Sequence, residues 1–272
     1  MGPTEETIRV AVTQAEPVWL DLDACIAKAC KLIKEAAAND AKLVTFPELW
    51  FPGYPAWIWD VQMKRPVDFV LGTTYQKSSL KLNSPQMQKL CASAAENNIA
   101  VHFGFSENAD NSLYISQGII GPDGLLKMVR RKLKPTHMER TVFGDANGNT
   151  LKNVVDVEGV GRGLGRLFIP LWKGLDCGEG IDKMGTEGSM FGVPGGGSSA
   201  IYGPDGRQLT NDIGETEEGI LYADLDFDEV LRSKSFVDVA GHYSRPDMLW
   251  LGVDDREKLH LRAQRDEDNE KA

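Results

Sequence analysis

The sequence predicts a layered α/β domain, and three observations carry that expectation. Short apolar runs of strand length alternate with longer stretches of helical periodicity in the first half of the chain. The tetrapeptide Gly-Pro-Asp-Gly occurs at Gly121 to Gly124 and again at Gly203 to Gly206, each time close to apolar runs. It is a hairpin signal in which proline sets φ and the last glycine takes the left-handed position. Finally, an acidic residue, Glu48, follows the apolar run Leu43 to Phe46 and a proline. Open α/β sheets place their chemistry at such strand ends.

Taken in order, Ile8 to Gln14 alternates as a strand does. Asp21 or Asp23 caps a helix running to about Asn39, with Leu22, Ile26, Leu32 and Ile33 on its apolar side. The Glu48 strand follows and must stop before Pro47, which has no N–H to give a ladder. Pro52, Gly53, Tyr54 and Pro55 then impose an irregular loop. Ser84-Pro85 opens a second helix ending near Asn97, and Ile99 to Phe105 is the next strand. Leu113 to Ile120 and Leu125 to Val129 flank the first hairpin turn. Glu218 to Asp226 reads as a late strand with Ile220 and Tyr222 on one face, and Phe227 to Lys234 as a helix. One domain, residues 1–253, accounts for all of this, because 272 residues suit one large α/β unit with a sizeable core. Residues 254–272 are charged, poor in apolar groups and expected to be disordered.

Composition removes several function classes. A formal net charge of -10 argues against a nucleic-acid partner, since phosphate binding needs a basic surface. The start, MGPTEETIRVAV, lacks a basic segment followed by a long apolar run, and Glu6 breaks the myristoylation pattern. No membrane partner is expected. The four cysteines, Cys25, Cys30, Cys91 and Cys177, form no C-x-x-C pair, so neither a zinc knuckle nor a redox motif is indicated. A reducing, cytoplasmic setting is the default. Gly195 to Gly197 lacks the G-K-[ST] ending and G-x-G-x-x-G spacing of phosphate loops.

Two stretches carry candidate chemistry. Around Glu48 lie Phe46, Leu49, Trp50, Phe51, Tyr54, Trp57 and Trp59. A carboxylate in an aromatic, poorly hydrated pocket has a raised pKa and suits a general base. A Glu capping loop backbone or facing water is the plainer reading of the same residues. The second stretch, VRRKLKPTHMERTVFG from Val129 to Gly144, clusters Arg130, Arg131, Lys132 and Lys134 ahead of Glu139 and Arg140. Read alone, it fits a solvated basic face with a Glu139–Arg140 ion pair as well as it fits a site.

Both stretches resemble signatures of the nitrilase branch of the carbon–nitrogen hydrolase superfamily. AKLVTFPELWFPGYP resembles its first active-site motif and RKLKPTHMER its lysine motif. The resemblance implies a four-layer α-β-β-α sandwich, Glu48 as general base, Lys132 as stabiliser of developing negative charge and Glu139 as the glutamate that positions the lysine. It also implies a cysteine nucleophile, no metal and no organic cofactor. Late in the chain, FVDVAGHYSRPDML resembles a family segment that helps subunits associate, implying a homo-oligomer.

The sequence departs from the family pattern at the nucleophile. Leu164-Gly165-Arg166-Leu167 resembles the approach, but the expected position falls near Trp172. Cys177, in GLDCGEG, is the nearby thiol and the remaining nucleophile candidate, with Asp176 and Glu179 expected to hold it protonated. The resemblance implies that several dozen residues of the usual chain are absent between Arg166 and about Gly180, so the sandwich is expected to be incomplete around 167–180. The implied function is hydrolysis of a small-molecule nitrile to an acid and ammonia through Glu/Lys/Cys covalent catalysis, with hydration to the amide as a close variant. The aromatic loop points weakly to aryl or arylacetonitriles. A nitrilase-like subunit without a nucleophile, acting as a non-enzymatic oligomerisation partner, is the alternative.

Overall fold

The structure, a computed structural model, describes residues 7–59, 69–151, 153–162, 175–187 and 192–254. The chain opens with β1 (Thr7–Gln14), α1 (Leu22–Ala38) and β2 (Leu43–Thr45). Next come α2 (Phe69–Ser78), α3 (Pro85–Glu96), β3 (Ala100–Ala109), β4 (Ser112–Ile120) and β5 (Leu126–Arg131). The later elements are β6 (Asp156–Val157), β7 (Gly161–Arg162), α4 (Glu179–Met184), β8 (Gly219–Asp226) and α5 (Asp228–Phe236).

Six strands form one mixed sheet in the order β5-β4-β3-β2-β1-β8. β1, β2 and β3 run parallel, while β4, β5 and β8 join antiparallel. Because side chains alternate across a strand, the register divides the apolar residues between two faces. Ala11, Val44, Val101, Phe103, Phe105 and Ile120 meet Ile26, Ala29 and Ile33 of α1 and Met87, Leu90 and Ala94 of α3. Fully burying a side chain such as Ile26 or Leu90 contributes about 1.5–3 kcal/mol. Val10, Leu43, Ala100, Ile119 and Met128 occupy the opposite face under Val157 and Val160. β2 is buried at every position, as a central parallel strand should be.

The helix ends follow from local chemistry. The Asp21 carboxylate accepts from the N–H of Ala24 at the start of α1, and Asn39 closes it. Ser84 accepts from Met87 N–H at 3.2 Å, and Pro85 takes the first position of α3, where a missing N–H costs nothing. The first Gly-Pro-Asp-Gly turn joins β4 to β5, with Gly124 at φ 74. The second closes a smaller loop with one bridge, Tyr202 to Gln208.

The α/β class is the predicted one. Among the described residues, the two-stranded ribbon β6–β7 lies on the second face of the sheet, where a four-layer sandwich has a full sheet. The expected nucleophile position near Trp172 lies outside the described residues, as do 255–272 of the predicted tail. No helix among the described residues is long and apolar enough to cross a membrane. α5 buries none of its residues, its last residue Phe236 is exposed, and so are Leu249 and Trp250 beyond it.

Candidate active site

The site is built at the C-terminal end of β2 and the end of β5. β2 stops at Thr45, and Phe46 N–H still pairs with the His102 carbonyl at 2.9 Å before Pro47 breaks the ladder. Glu48 follows immediately. Gly104 of β3 makes this exit possible. A Cβ there would sit 2.5 Å from both the Glu48 Cα and the Pro47 carbonyl oxygen, so the glutamate's backbone passes over a position that tolerates no side chain. Lys132 is the first residue after β5, and its N–H donates to the Ile115 carbonyl at 2.7 Å. Its neighbour Arg131 points to the other face, donates twice to the buried Glu107 and lies 3.7 Å from the Tyr114 ring centroid. That clamp fixes the strand end from which Lys132 projects.

Glu139 lies in the 3₁₀ turn His137–Thr141. Its carboxylate reaches back to accept from Thr136 N–H at 2.6 Å, the acidic half of a capping box. Three charged groups from distant parts of the sequence therefore converge. Lys132 Nζ lies 3.1 Å from Glu48 Oε1 and 3.0 Å from Glu139 Oε2. Burial pushes the Glu48 carboxyl above its ordinary value even though Lys132 pulls it down. Burial also works against the Lys132 ammonium, but Glu48 and Glu139 outweigh it and hold the amine above its usual range. Such an arrangement keeps an ammonium in place and leaves a desolvated carboxylate able to take a proton.

Of the two readings open for Glu139, the pair with Arg140 is not the one the structure makes: Glu139 faces Lys132, and Arg140 turns to Asp145 at 3.3 Å. Lys134 also binds Asp145, at 2.9 Å. Arg130 donates to Gln117, and Glu48 is among the charges that act on it. The aromatic surroundings read for Glu48 divide in two. Phe46, Trp50 and Phe51 pack into the core beneath α1, whereas Leu49, Tyr54, Trp57 and Trp59 form a second cluster. From that cluster Tyr54 donates to Glu139 Oε1 at 3.2 Å, a contact between loops 85 residues apart that no local pattern announces.

Cys177 is not brought to this group. It is exposed, and its thiol donates to the Thr216 carbonyl at 3.3 Å. Partial desolvation and the carboxylates of Glu16, Glu218 and Asp176 push it up to about 11. Glu179, the other acidic neighbour read from the sequence, pairs with Lys183 instead. The other cysteines sit on helices. Cys25 is buried on α1, bonded to the Val18 carbonyl and pushed up to about 12 by burial, while Cys30 and Cys91 are half-buried on α1 and α3. None of the four makes a hydrogen bond to Glu48, Lys132 or Glu139. The glycines at 195–197 also serve structure: Gly195 bridges Asp176, and Gly197 lies against the Gln14 side chain.

The carbon–nitrogen hydrolase family model matches residues 9–170, more than half of the chain. The chain belongs to the carbon–nitrogen hydrolase family. Among its relatives, an arylacetonitrilase of Aspergillus kawachii is 49% identical over 315 aligned positions, covering 94% of each chain. One from Aspergillus niger is 48% identical with the same coverage. The alignment with the A. kawachii protein spans 315 positions and takes in 94% of the 272 residues, about 256, so about 59 of those positions (315 less 256) have no counterpart here. Among solved structures, Saccharomyces cerevisiae Nit3, of the nitrilase superfamily, superposes with a TM-score of 0.58 at 17% identity, covering 88% of this chain and 97% of that one. A Nesterenkonia amidase of the same superfamily gives 0.52 at 16% identity, covering 85% and 95%. Those two likenesses show the fold of a carbon–nitrogen hydrolase and nothing finer.

Proposed function

We propose that this carbon–nitrogen hydrolase carries the acid–base half of a nitrilase site, directed at nitriles and, by analogy with the relatives' names, at arylacetonitriles. The observation that carries this reading is the Lys132 ammonium held 3.1 Å from Glu48 and 3.0 Å from Glu139. In the full reaction a thiolate adds to the nitrile carbon and the nitrogen takes a proton, giving a thioimidate. Water then adds at that carbon, ammonia leaves, and a second water frees the acid and restores the thiol. Glu48 takes the proton from thiol or water, Lys132 faces the atom on which negative charge develops, and Glu139 holds Lys132 in place. Release of the amide after the first water is the hydratase variant.

A second reading is favoured by the cysteines, none of which bonds to the triad. In it the chain is a nitrilase-like subunit without a seated nucleophile, which does little hydrolysis and acts as an oligomerisation partner. On this reading the unmatched positions fall between Arg166 and about Gly180 and account for the missing thiol. Assembly as a homo-oligomer and residence in the cytoplasm belong to both readings.

Ammonia release from a panel of nitriles separates them. On the first reading Glu48→Gln and Lys132→Met each lose at least 100-fold, as removal of an acid–base or charge-stabilising group typically does. A rate unchanged in either variant overturns the assignment of that residue. On the second reading the parent chain is already near background. Turnover that Cys177→Ala abolishes, with a thiol titrating well below about 11, excludes it.

A further inference from the structure

Glu139 is held at both oxygens, and the hold leads to one aromatic side chain outside the motif. Oε2 takes Thr136 N–H at 2.6 Å and Lys132 Nζ at 3.0 Å. Oε1 takes the Tyr54 hydroxyl at 3.2 Å. The Tyr54 oxygen in turn receives the indole N–H of Trp59 at 2.8 Å. The direction of this chain is fixed by chemistry. An indole nitrogen only donates, so the hydroxyl must accept from it, and the single phenolic proton is left for the carboxylate. All three side chains are buried, where such a series of bonds is stronger than in water.

The same indole acts a second time. Its ring lies flat against the His137 imidazole, with centroids 5.4 Å apart and planes 12° apart. His137 opens the 3₁₀ turn that carries Glu139, and it does so at φ 44, a conformation that costs a non-glycine residue energy unless its surroundings hold it. Trp59 therefore touches Glu139's support from two sides, through the hydroxyl on its carboxylate and through the first residue of its turn.

We infer that Trp59 is a positioning residue for the Glu139–Lys132 pair, acting through Tyr54 and His137 without touching either charged group. This rests on the function proposed above, but its consequence is readable without turnover. Lys132 faces Glu48 and Glu139, with Arg130 nearby beside Glu48 and the Tyr54 phenol behind Glu139. If Glu139 loosens, Lys132 loses one of the two carboxylates that favour its charged form.

The experiment is competitive amine labelling of the full chain with acetic anhydride across a pH series, read at Lys132 by peptide mass, with thermal melting recorded alongside. Trp59→Leu removes both contacts, Trp59→Phe keeps a ring over His137 but loses the N–H, and Glu139→Gln removes the carboxylate's charge. The Lys132 midpoint is expected to fall by about one pH unit in Trp59→Leu, raising its free-amine fraction at neutral pH about tenfold. Trp59→Phe should fall part of the way, and Glu139→Gln at least as far as Trp59→Leu. Trp250→Phe, at an exposed indole, should leave the midpoint unchanged. A parental Lys132 midpoint in Trp59→Phe or Glu139→Gln, whatever happens to the melting temperature, overturns the inference. Absence of ammonia release bears on the proposed function alone.

Discussion

At Lys132 one ammonium serves two carboxylates, so neither glutamate has a counter-ion to itself. Burial pushes the Glu48 carboxyl up, and Glu48 is placed at the strand exit. The sheet also carries a titratable group that the proposed chemistry does not use. His102 of β3 lies on the ribbon-covered face beside Ile119, buried, with its Nδ1 unpartnered among the described residues. Burial lowers it to about 4, with Arg130 adding to the effect. A base with a depressed folded pKa binds its proton more readily in the unfolded chain. Its contribution is therefore whole above about 6.5 and is lost as pH falls toward 4. The full difference over 2.5 pH units (6.5 less 4) is about 3.5 kcal/mol at roughly 1.4 kcal/mol per unit. His102→Leu removes the proton uptake and the unpartnered Nδ1 with it. Urea unfolding should show the variant at least as stable as the parent at neutral pH and losing about 3 kcal/mol less between pH 6.5 and 4. An unchanged slope with pH would show that the imidazole is already satisfied.

At the scale of elements, legibility depends on how local the determining chemistry is. Asp21, Ser84-Pro85, Asn39 and Asn97 set the ends of α1 and α3 within one turn of the residues they cap, and both helices are readable to within a residue or two. The cap on α3 is open to measurement. Ser84→Ala removes the 3.2 Å bond to Met87 N–H and should cost about 1 kcal/mol of unfolding free energy. A loss under about 0.3 kcal/mol would mean that Pro85 and packing alone fix that end. α2 is not readable. Of its ten residues only Tyr75 is buried, so no 3.6-residue stripe exists. Its Thr73 and Thr74 hydroxyls bond back to the carbonyls of Phe69 and Val70, a habit that disfavours helix in an isolated segment. β6 and β7 have two residues each and carry no alternation to detect. In the site, Glu48, Lys132 and Glu139 stand out because each sits in a dense local motif. Trp59 does not: its partners Tyr54 and His137 are meaningful only once two separate loops meet.

At the scale of the molecule, the sheet is complete enough to hold the triad, and among the described residues the face where the resemblance implies a second sheet carries the two-stranded ribbon β6–β7. About 59 aligned positions of the A. kawachii relative (315 less the 256 residues that are 94% of this chain) have no counterpart here, and the family match stops at residue 170. Sheet, triad and break are connected by one argument. β1, β2 and β3 pack on α1 and α3, β8 pairs along the outer edge of β1, and Lys132 and Glu139 are held by Ile115 and Thr136, so the contacts that join the triad to one another come from residues before Arg166. On the second reading a seated nucleophile is what the chain after Arg166 lacks. Replacing residues 167–179 with the corresponding longer segment of the A. niger arylacetonitrilase should therefore seat a thiol against a triad that is already formed. Ammonia release from an arylacetonitrile should rise from near background by at least 100-fold, and Lys132→Met in the graft should abolish it. Light scattering on both proteins reads assembly in the same samples, with a homo-oligomer expected for each and a folded monomer counting against that proposal. A folded, oligomeric graft without turnover would mean that the ribbon-covered face has closed in a way that displaces the incoming strand. The fault would then lie in the sheet's second face rather than in the Glu48–Lys132–Glu139 group.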